Sequence, residues 1–101
     1  MRVVLCTAPI DESRNIAITL VEEKLVACVN IVPKVESIYS WKGKICNDEE
    51  ALLIIKTKEE LITQLTERIN AIHSYDTVEV ITFEIKEGDS KYLKWIEDVT
   101  K

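Results

Sequence analysis

The chain has 101 residues, of which 47% are hydrophobic and 31% charged, and its formal net charge is −5. That length makes one domain, 1–101, with a modest core, and the composition is that of an ordinary globular protein. The negative balance offers no attraction to nucleic acid or to an anionic membrane surface. No apolar run approaches the ~20 residues of a membrane-spanning helix. Met1-Arg2-Val3-Val4-Leu5 runs directly into a strand pattern without the layout of a signal peptide. Cys6, Cys28 and Cys46 are odd in number and far apart, which suits a reducing compartment better than a disulfide framework. A cytoplasmic location is the expectation.

Arg2–Thr7 is a short apolar run that ends at Ala8-Pro9 and reads as a buried strand. Asp11-Glu12-Ser13 supplies capping oxygens and negative charge for the positive end of a helix dipole. Ile16, Ala17, Leu20, Val21 and Leu25 follow at helical spacing, which predicts a helix over 12–25. The stretch Leu25–Lys44 organises the rest. From Ala27 to Trp41 the odd positions carry Ala, Val, Ile, Pro, Val, Ser, Tyr and Trp, the period-2 signature of a strand. Lys42-Gly43-Lys44 supplies the turn, since Gly takes positive φ without steric cost. About 15 residues at ~3.3 Å each reach roughly 50 Å. The longest helical pattern, about 16 residues, covers only ~24 Å. The far half of the hairpin, with Val35, Tyr39 and Trp41, therefore has no roof of its own, and an oligomer is predicted. Pro33 lacks a ladder donor and predicts a bulge or an edge strand.

Ile45–Lys56 reads as the returning strand. Cys46-Asn47-Asp48-Glu49-Glu50 is polar and Ala51-Leu52-Leu53-Ile54-Ile55 is continuously apolar, as in a central strand. Thr57-Lys58-Glu59-Glu60 matches a capping box. Leu61, Ile62, Leu65, Ile69 and Ile72 form one stripe and predict a helix over 58–73. Val78–Lys86 reads as a strand with Glu79, Ile81, Phe83 and Ile85 on one face. Gly88-Asp89-Ser90 breaks the chain, and Tyr92, Leu93, Trp95 and Ile96 predict a closing helix. The order β-α-β-β-α-β-α defines an α+β, ferredoxin-like fold with a long protruding hairpin. The sheet is expected to be antiparallel overall, with its first and third strands parallel at the centre. Both main helices belong on one face, which leaves the other apolar face for a partner.

Such a fold hosts many functions, so the residues must decide. The first loop, Thr7-Ala8-Pro9-Ile10, lacks the Cys-x-x-Cys of metal carriers, and Ala51–Ile55 lacks the aromatics of an RNA-binding sheet. No Gly-rich phosphate loop and no nucleophile–base spacing occurs, so no enzyme activity is read. His73, the one histidine, ends the second helix. It is either a charge favoured by the helix dipole or a metal ligand or pocket wall. One His and three scattered Cys make no local four-ligand zinc cage. Cu(I) accepts fewer and softer donors, and a neighbouring subunit can complete such a site. Cys6 is a buried strand residue or a ligand, Cys28 a small buried hydrophobe, and Cys46 exposed and incidental. Lys56 ends a buried strand and requires an acidic partner or an anion. Glu79 alternates with apolar residues and also requires a partner. Pairing the two with each other is one solution.

Six stretches carry a family resemblance: Cys6-Thr7-Ala8-Pro9, Glu23–Ile31, Ser37–Ile45, Ile55-Lys56-Thr57, His73-Ser74-Tyr75-Asp76 and Tyr92-Leu93-Lys94-Trp95-Ile96. In this order and spacing the chain resembles the CutA family, the divalent-cation-tolerance proteins, over nearly its whole length. The resemblance implies a ferredoxin-like subunit in a homotrimer, similar in design to PII signalling proteins. It also implies tolerance of divalent metals, copper above all, with Cys6 and His73 in the positions of proposed copper ligands. A further histidine found next to the latter in some members is Ile72 here. The family's His-Pro-Tyr-Glu-x-Pro-Glu reads His73-Ser74-Tyr75-Asp76-Thr77-Val78-Glu79, so both prolines are missing and a less rigid loop is expected. Ile10 stands as an extra residue before the acidic helix start. The alternative to metal binding is a PII-like trimeric scaffold that holds a small ligand or a protein in inter-subunit clefts. Tyr39, Trp41, Lys56, Tyr75 and Glu79 are the expected lining of such a cleft.

Overall fold

The computed structural model describes residues 1–101. The elements in chain order are β1 (Arg2–Ala8), α1 (Ile10–Glu22), β2 (Cys28–Trp41), β3 (Lys44–Thr57), α2 (Ile62–Ile72), β4 (Ile81–Glu84) and α3 (Ser90–Val99), with a 3-10 turn at Glu59–Leu61 before α2. The strands lie in the order β2-β3-β1-β4, and every adjacent pair is antiparallel. The expectation of a parallel central pair is therefore corrected. The crossover through α1 makes β1 and β2 run the same way. β3 lies between them as the hairpin partner of β2, so it opposes both.

One side of the sheet carries the core. Val4, Cys6, Ala8, Leu53 and Ile55 pack with Ile16 and Leu20 of α1 and Leu65 and Ile69 of α2 in a single buried cluster. The opposite side is uncovered. Residues paired across antiparallel strands share a face, so Val3, Lys56 and Phe83 lie together, as do Leu5, Ile54 and Ile81. Ile81 and Phe83 remain about half exposed, at 48% and 52%. α3 closes the end of the sheet. Asp89 caps it by accepting from the Tyr92 amide at 3.0 Å, and Ile96 is fully buried.

Helix boundaries differ from the periodicity in physically simple ways. α1 starts at Ile10, where the Pro9 carbonyl accepts from the amides of Glu12 and Ser13 at 3.0 and 3.1 Å and no side chain caps the end. Asp11 and Glu12 occupy the first turn, as the dipole favours. The helix stops at Glu22 because Lys24 turns left-handed, with φ 59°. The Lys24 amide donates to Val21 and the Leu25 amide to Leu20, the paired closing bonds of a Schellman motif. The capping box at Thr57 is not formed. Thr57 is fully buried, and its hydroxyl donates to the Leu25 carbonyl at 2.7 Å, a tertiary bond that outcompetes the local one. β4 is shorter than the expected 78–86. Its ladder with β1 covers only Arg2–Leu5, because Val78 and Val80 pack against the core instead of continuing the strand.

The hairpin behaves as its length demanded. β1 reaches only as far as Ala51 on β3, so from Val35 to Glu50 the two long strands have no third strand beside them. The long axis of the molecule, 45 Å against 25 and 23 Å, matches the ~46 Å reach of a 14-residue strand. The register slips between Val32 and Val35, a bulge at Pro33 on an edge strand. Lys42 and Gly43 both take positive φ, 51° and 78°, and Trp41 pairs with Lys44. This is the two-residue turn that follows the right-handed twist of its strands. Ile38, Tyr39, Trp41 and Ile45 are exposed along the overhang.

Candidate functional site

The loop after α2 runs past the free edge of β1 beyond Leu5, where β4 no longer pairs. His73 lies there and is buried. Its Nε2 is 2.8 Å from the Thr7 carbonyl, and its Nδ1 is 3.1 Å from the Tyr75 amide nitrogen. An amide can only donate, so Nδ1 accepts and Nε2 carries the proton given to Thr7. The Tyr75 ring packs on the imidazole at 4.6 Å between centroids. Its hydroxyl donates to Glu50 Oε1 at 2.8 Å.

This anchoring opens a cleft of about 780 Å³ between the Tyr75–Glu79 loop and the overhanging hairpin. Tyr39, Trp41, Tyr75 and Glu79 line it together, with Thr7 at its base. Lys56 does not. It pairs with Val3 and Cys28 at the opposite end of the sheet, and its ammonium is held by Asn30 Oδ1. Lys56 is thus not part of this intra-chain cleft, and no Lys56–Glu79 pair forms within the chain.

The sequence reading missed most of the cleft's charge. Glu36, Asp48, Glu50 and Asp76 join Glu79, which makes five carboxylates and no Lys or Arg in the lining. None of the five is in an ion pair. Three have neutral donors: Asn47 on Glu36, Tyr39 on Asp48 and Tyr75 on Glu50. The hydrogen bond to Asp48 and burial hold the Tyr39 phenol up at about 12. Burial first, then the bond to Glu50, raises Tyr75 further. A signal for the missed residues was present. Counting back from a two-residue turn at Gly43 pairs Ser37 with Asp48 and Val35 with Glu50, which puts both acids on the face of Tyr39.

Cys6 is fully buried, and its sulfur lies 3.6 Å from the same Thr7 carbonyl that His73 contacts. Burial, then the charges of Glu79 and Glu50, push its thiol up to about 12. Thus Cys6 and His73 do converge on one atom. Yet the thiol stays protonated, and both imidazole nitrogens are committed to hydrogen bonds. No group of three or more His, Cys, Asp or Glu side chains is placed to hold a metal ion. As folded in a single chain, this donor set does not fit copper, which needs a thiolate and a free imidazole lone pair. Cys28 and Cys46 are each half-buried rather than buried and exposed respectively.

A ferredoxin-like subunit with an unroofed hairpin has the fold of the PII-like proteins. The PII-like protein CutA from Nostoc sp. PCC 7120 in apo form superposes with a TM-score of 0.95 and is 35% identical, covering 100% of this chain and 98% of that one. CutA1 from Oryza sativa gives a TM-score of 0.97 at 48% identity, covering 99% and 93%. The profile of the family described as CutA1 divalent ion tolerance protein matches residues 2–99. The chain belongs to that family. The divalent-cation tolerance protein CutA of Thermus thermophilus is 46% identical over 99 residues, 97% of this chain and 96% of its own length. The chloroplastic protein CutA of Arabidopsis thaliana is 50% identical over 100 residues, 98% of this chain but 55% of its own length. The chain thus spans little more than half of the plant relatives it matches.

The expected cytoplasmic location is not supported. The Archaeoglobus fulgidus protein, with a TM-score of 0.95 and 35% identity, is described as periplasmic, and the plant relatives as chloroplastic. All three cysteines here are free. Thiols that stay unpaired by position do so in any redox environment, so they do not report the compartment. No helix is long and apolar enough to cross a membrane.

Proposed function

We propose that this chain serves divalent-cation tolerance as an oligomeric binding protein without catalytic activity, and that the cleft is its cation-attracting surface. The observation that supports this most is that five carboxylates and no cationic side chain line one cleft, spread along it rather than gathered at one point. Like charges summed over one concave surface raise the local concentration of cations. The assembly we propose is a homotrimer. The uncovered sheet face and the overhanging hairpin both need a partner surface, and a second or third copy of the chain offers the matching one. Copper at Cys6 and His73 requires the Tyr75 amide to give up Nδ1, the one lone pair His73 has to offer, and a further donor from a neighbouring copy.

Calorimetric titration of Cu(II) into the assembled protein separates these sites. Binding that weakens in the Asp48→Asn, Glu50→Gln double variant supports the cleft. Binding that weakens only in Cys6→Ala or His73→Ala moves the site to the Thr7 corner. Absence of binding to the wild type removes the metal role. Light scattering should give three times the 11.6 kDa subunit, with Phe83→Glu reducing it. A wild-type monomer at micromolar concentration overturns the assembly.

The second reading, a small-molecule scaffold of PII type with metal incidental, is favoured by the aromatic share of the lining. Tyr39, Trp41 and Tyr75 offer flat apolar surface that a bare metal ion does not use.

A further inference from the structure

We propose that the cleft binds an extended aliphatic polyamine, a ligand class set by its one deeply buried carboxylate, its aromatic rings and its uniform charge. The inference rests on the reading of the cleft as the cation-attracting surface and specifies what kind of cation fits it.

Glu50 carries the argument. Only 8% of it is exposed, and it has no ionic partner. Oε1 accepts the Tyr75 hydroxyl, while Oε2 has no donor within the chain and is not sealed from the cleft it lines. A carboxylate so deeply placed, with one oxygen still free to accept from the cleft, favours a positive donor there over water. A primary ammonium supplies three N–H groups in one compact charge.

The remaining lining selects among cations. The cleft is far larger than a bare ion, and its carboxylates form no group of three spaced for a metal. Tyr39 and Trp41 flank the acids, and their faces suit methylene segments and ammonium groups alike. One compact monocation would leave four carboxylates uncompensated, whereas a chain with several ammonium groups matches them along its length. The same charges repel phosphates, so a nucleotide, with its anionic tail, is the ligand this lining disfavours.

The test is titration calorimetry of the assembled protein with spermidine, with magnesium and ATP as controls, at low and at physiological salt. Spermidine should bind, more weakly as salt rises, and ATP should not. Glu50→Gln should lower spermidine affinity roughly tenfold and Trp41→Leu several-fold, while Glu97→Gln outside the cleft leaves it unchanged. Where Glu50→Gln fails to fold by circular dichroism, Asp76→Asn, an exposed lining residue, replaces it. Spermidine that binds no better than magnesium, or that ignores Trp41→Leu, overturns the inference. If copper still binds in a carboxylate-dependent manner while spermidine does not, the polyamine falls and the cleft reading stands. If neither binds, both fall. A cleft filled by a neighbouring copy's side chains also gives no spermidine binding and sinks the proposal.

Discussion

His73 and Thr7 lie 66 residues apart, yet the imidazole Nε2 is 2.8 Å from the Thr7 carbonyl and closes the free edge of β1. The bond satisfies a strand carbonyl that β4 cannot reach. Through Nδ1 it also fixes the start of the Tyr75–Glu79 loop. His73→Ala should therefore cost about 1–3 kcal/mol, because it leaves both the Thr7 carbonyl and the Tyr75 amide short of a partner. Urea denaturation at fixed protein concentration measures this. A loss below a few tenths of that range would mean water replaces the ring at no cost.

Tyr75→Phe isolates the next link. The ring and its packing on His73 stay, but Glu50 loses its only hydrogen-bond donor at 8% exposure. A destabilisation of roughly 1–3 kcal/mol is expected. The Tyr75→Phe, Glu50→Leu double variant should recover part of it, since an apolar pair needs no donor.

All three tyrosines are held above their ordinary range, Tyr39 by its bond to Asp48 and Tyr75 and Tyr92 chiefly by burial. Raised values favour the neutral phenols of the folded state. The stability they contribute is present below about pH 10, the unfolded value, and is lost as pH rises through the folded values. Ultraviolet titration at pH 10 should show about half of the phenols ionised in denaturant and far fewer in the folded protein. An ordinary titration curve for the folded protein would dissolve the Tyr39–Asp48 and Tyr75–Glu50 bonds.

Arg68 grips Glu23 with two bonds of 2.8 Å and ties α2 to the end of α1. Those bonds hold the Glu23 carboxyl below its ordinary value. A depressed acid contributes stability above its unfolded value, near pH 4.5, and loses it as pH falls through the folded one. The gap in melting temperature between wild type and Arg68→Met should accordingly close on acidification. A gap that persists at about pH 2, well below the reference range of carboxylates, would assign the effect to packing of the Arg stem.

Lys24 stands in the left-handed position that ends α1, with φ 59°. Glycine adopts that conformation without a Cβ penalty, so Lys24→Gly should raise stability by roughly 0.5–1 kcal/mol. Chemical denaturation reads this directly. A loss on substitution would show that the Lys24 side chain makes a contact worth more than the relief.

Local chemistry was enough to read the elements. Alternation from Ala27 to Trp41, the Gly43 turn and the stripe from Leu61 to Ile72 each report a period that one segment imposes on itself. The overhang also followed from sequence, because strand rise and helix rise are fixed numbers and their mismatch is arithmetic. Thr57 shows the limit. Its spacing to Glu60 matched a cap, but burial against Leu25 offered its hydroxyl a better acceptor.

What tertiary structure alone decided is which side chains share a space. Within one chain Tyr39 and Tyr75 share a cleft, while strand order sends Lys56 to the far end of the sheet. The hairpin register by itself turns Asp48 and Glu50 to the Tyr39 face, but only the anchoring of the loop at His73 sets Tyr75 and Asp76 beside them and makes a cleft. Periodicity tells a residue which way to face, but long-range pairing chooses its neighbours, and the cleft is made of neighbours.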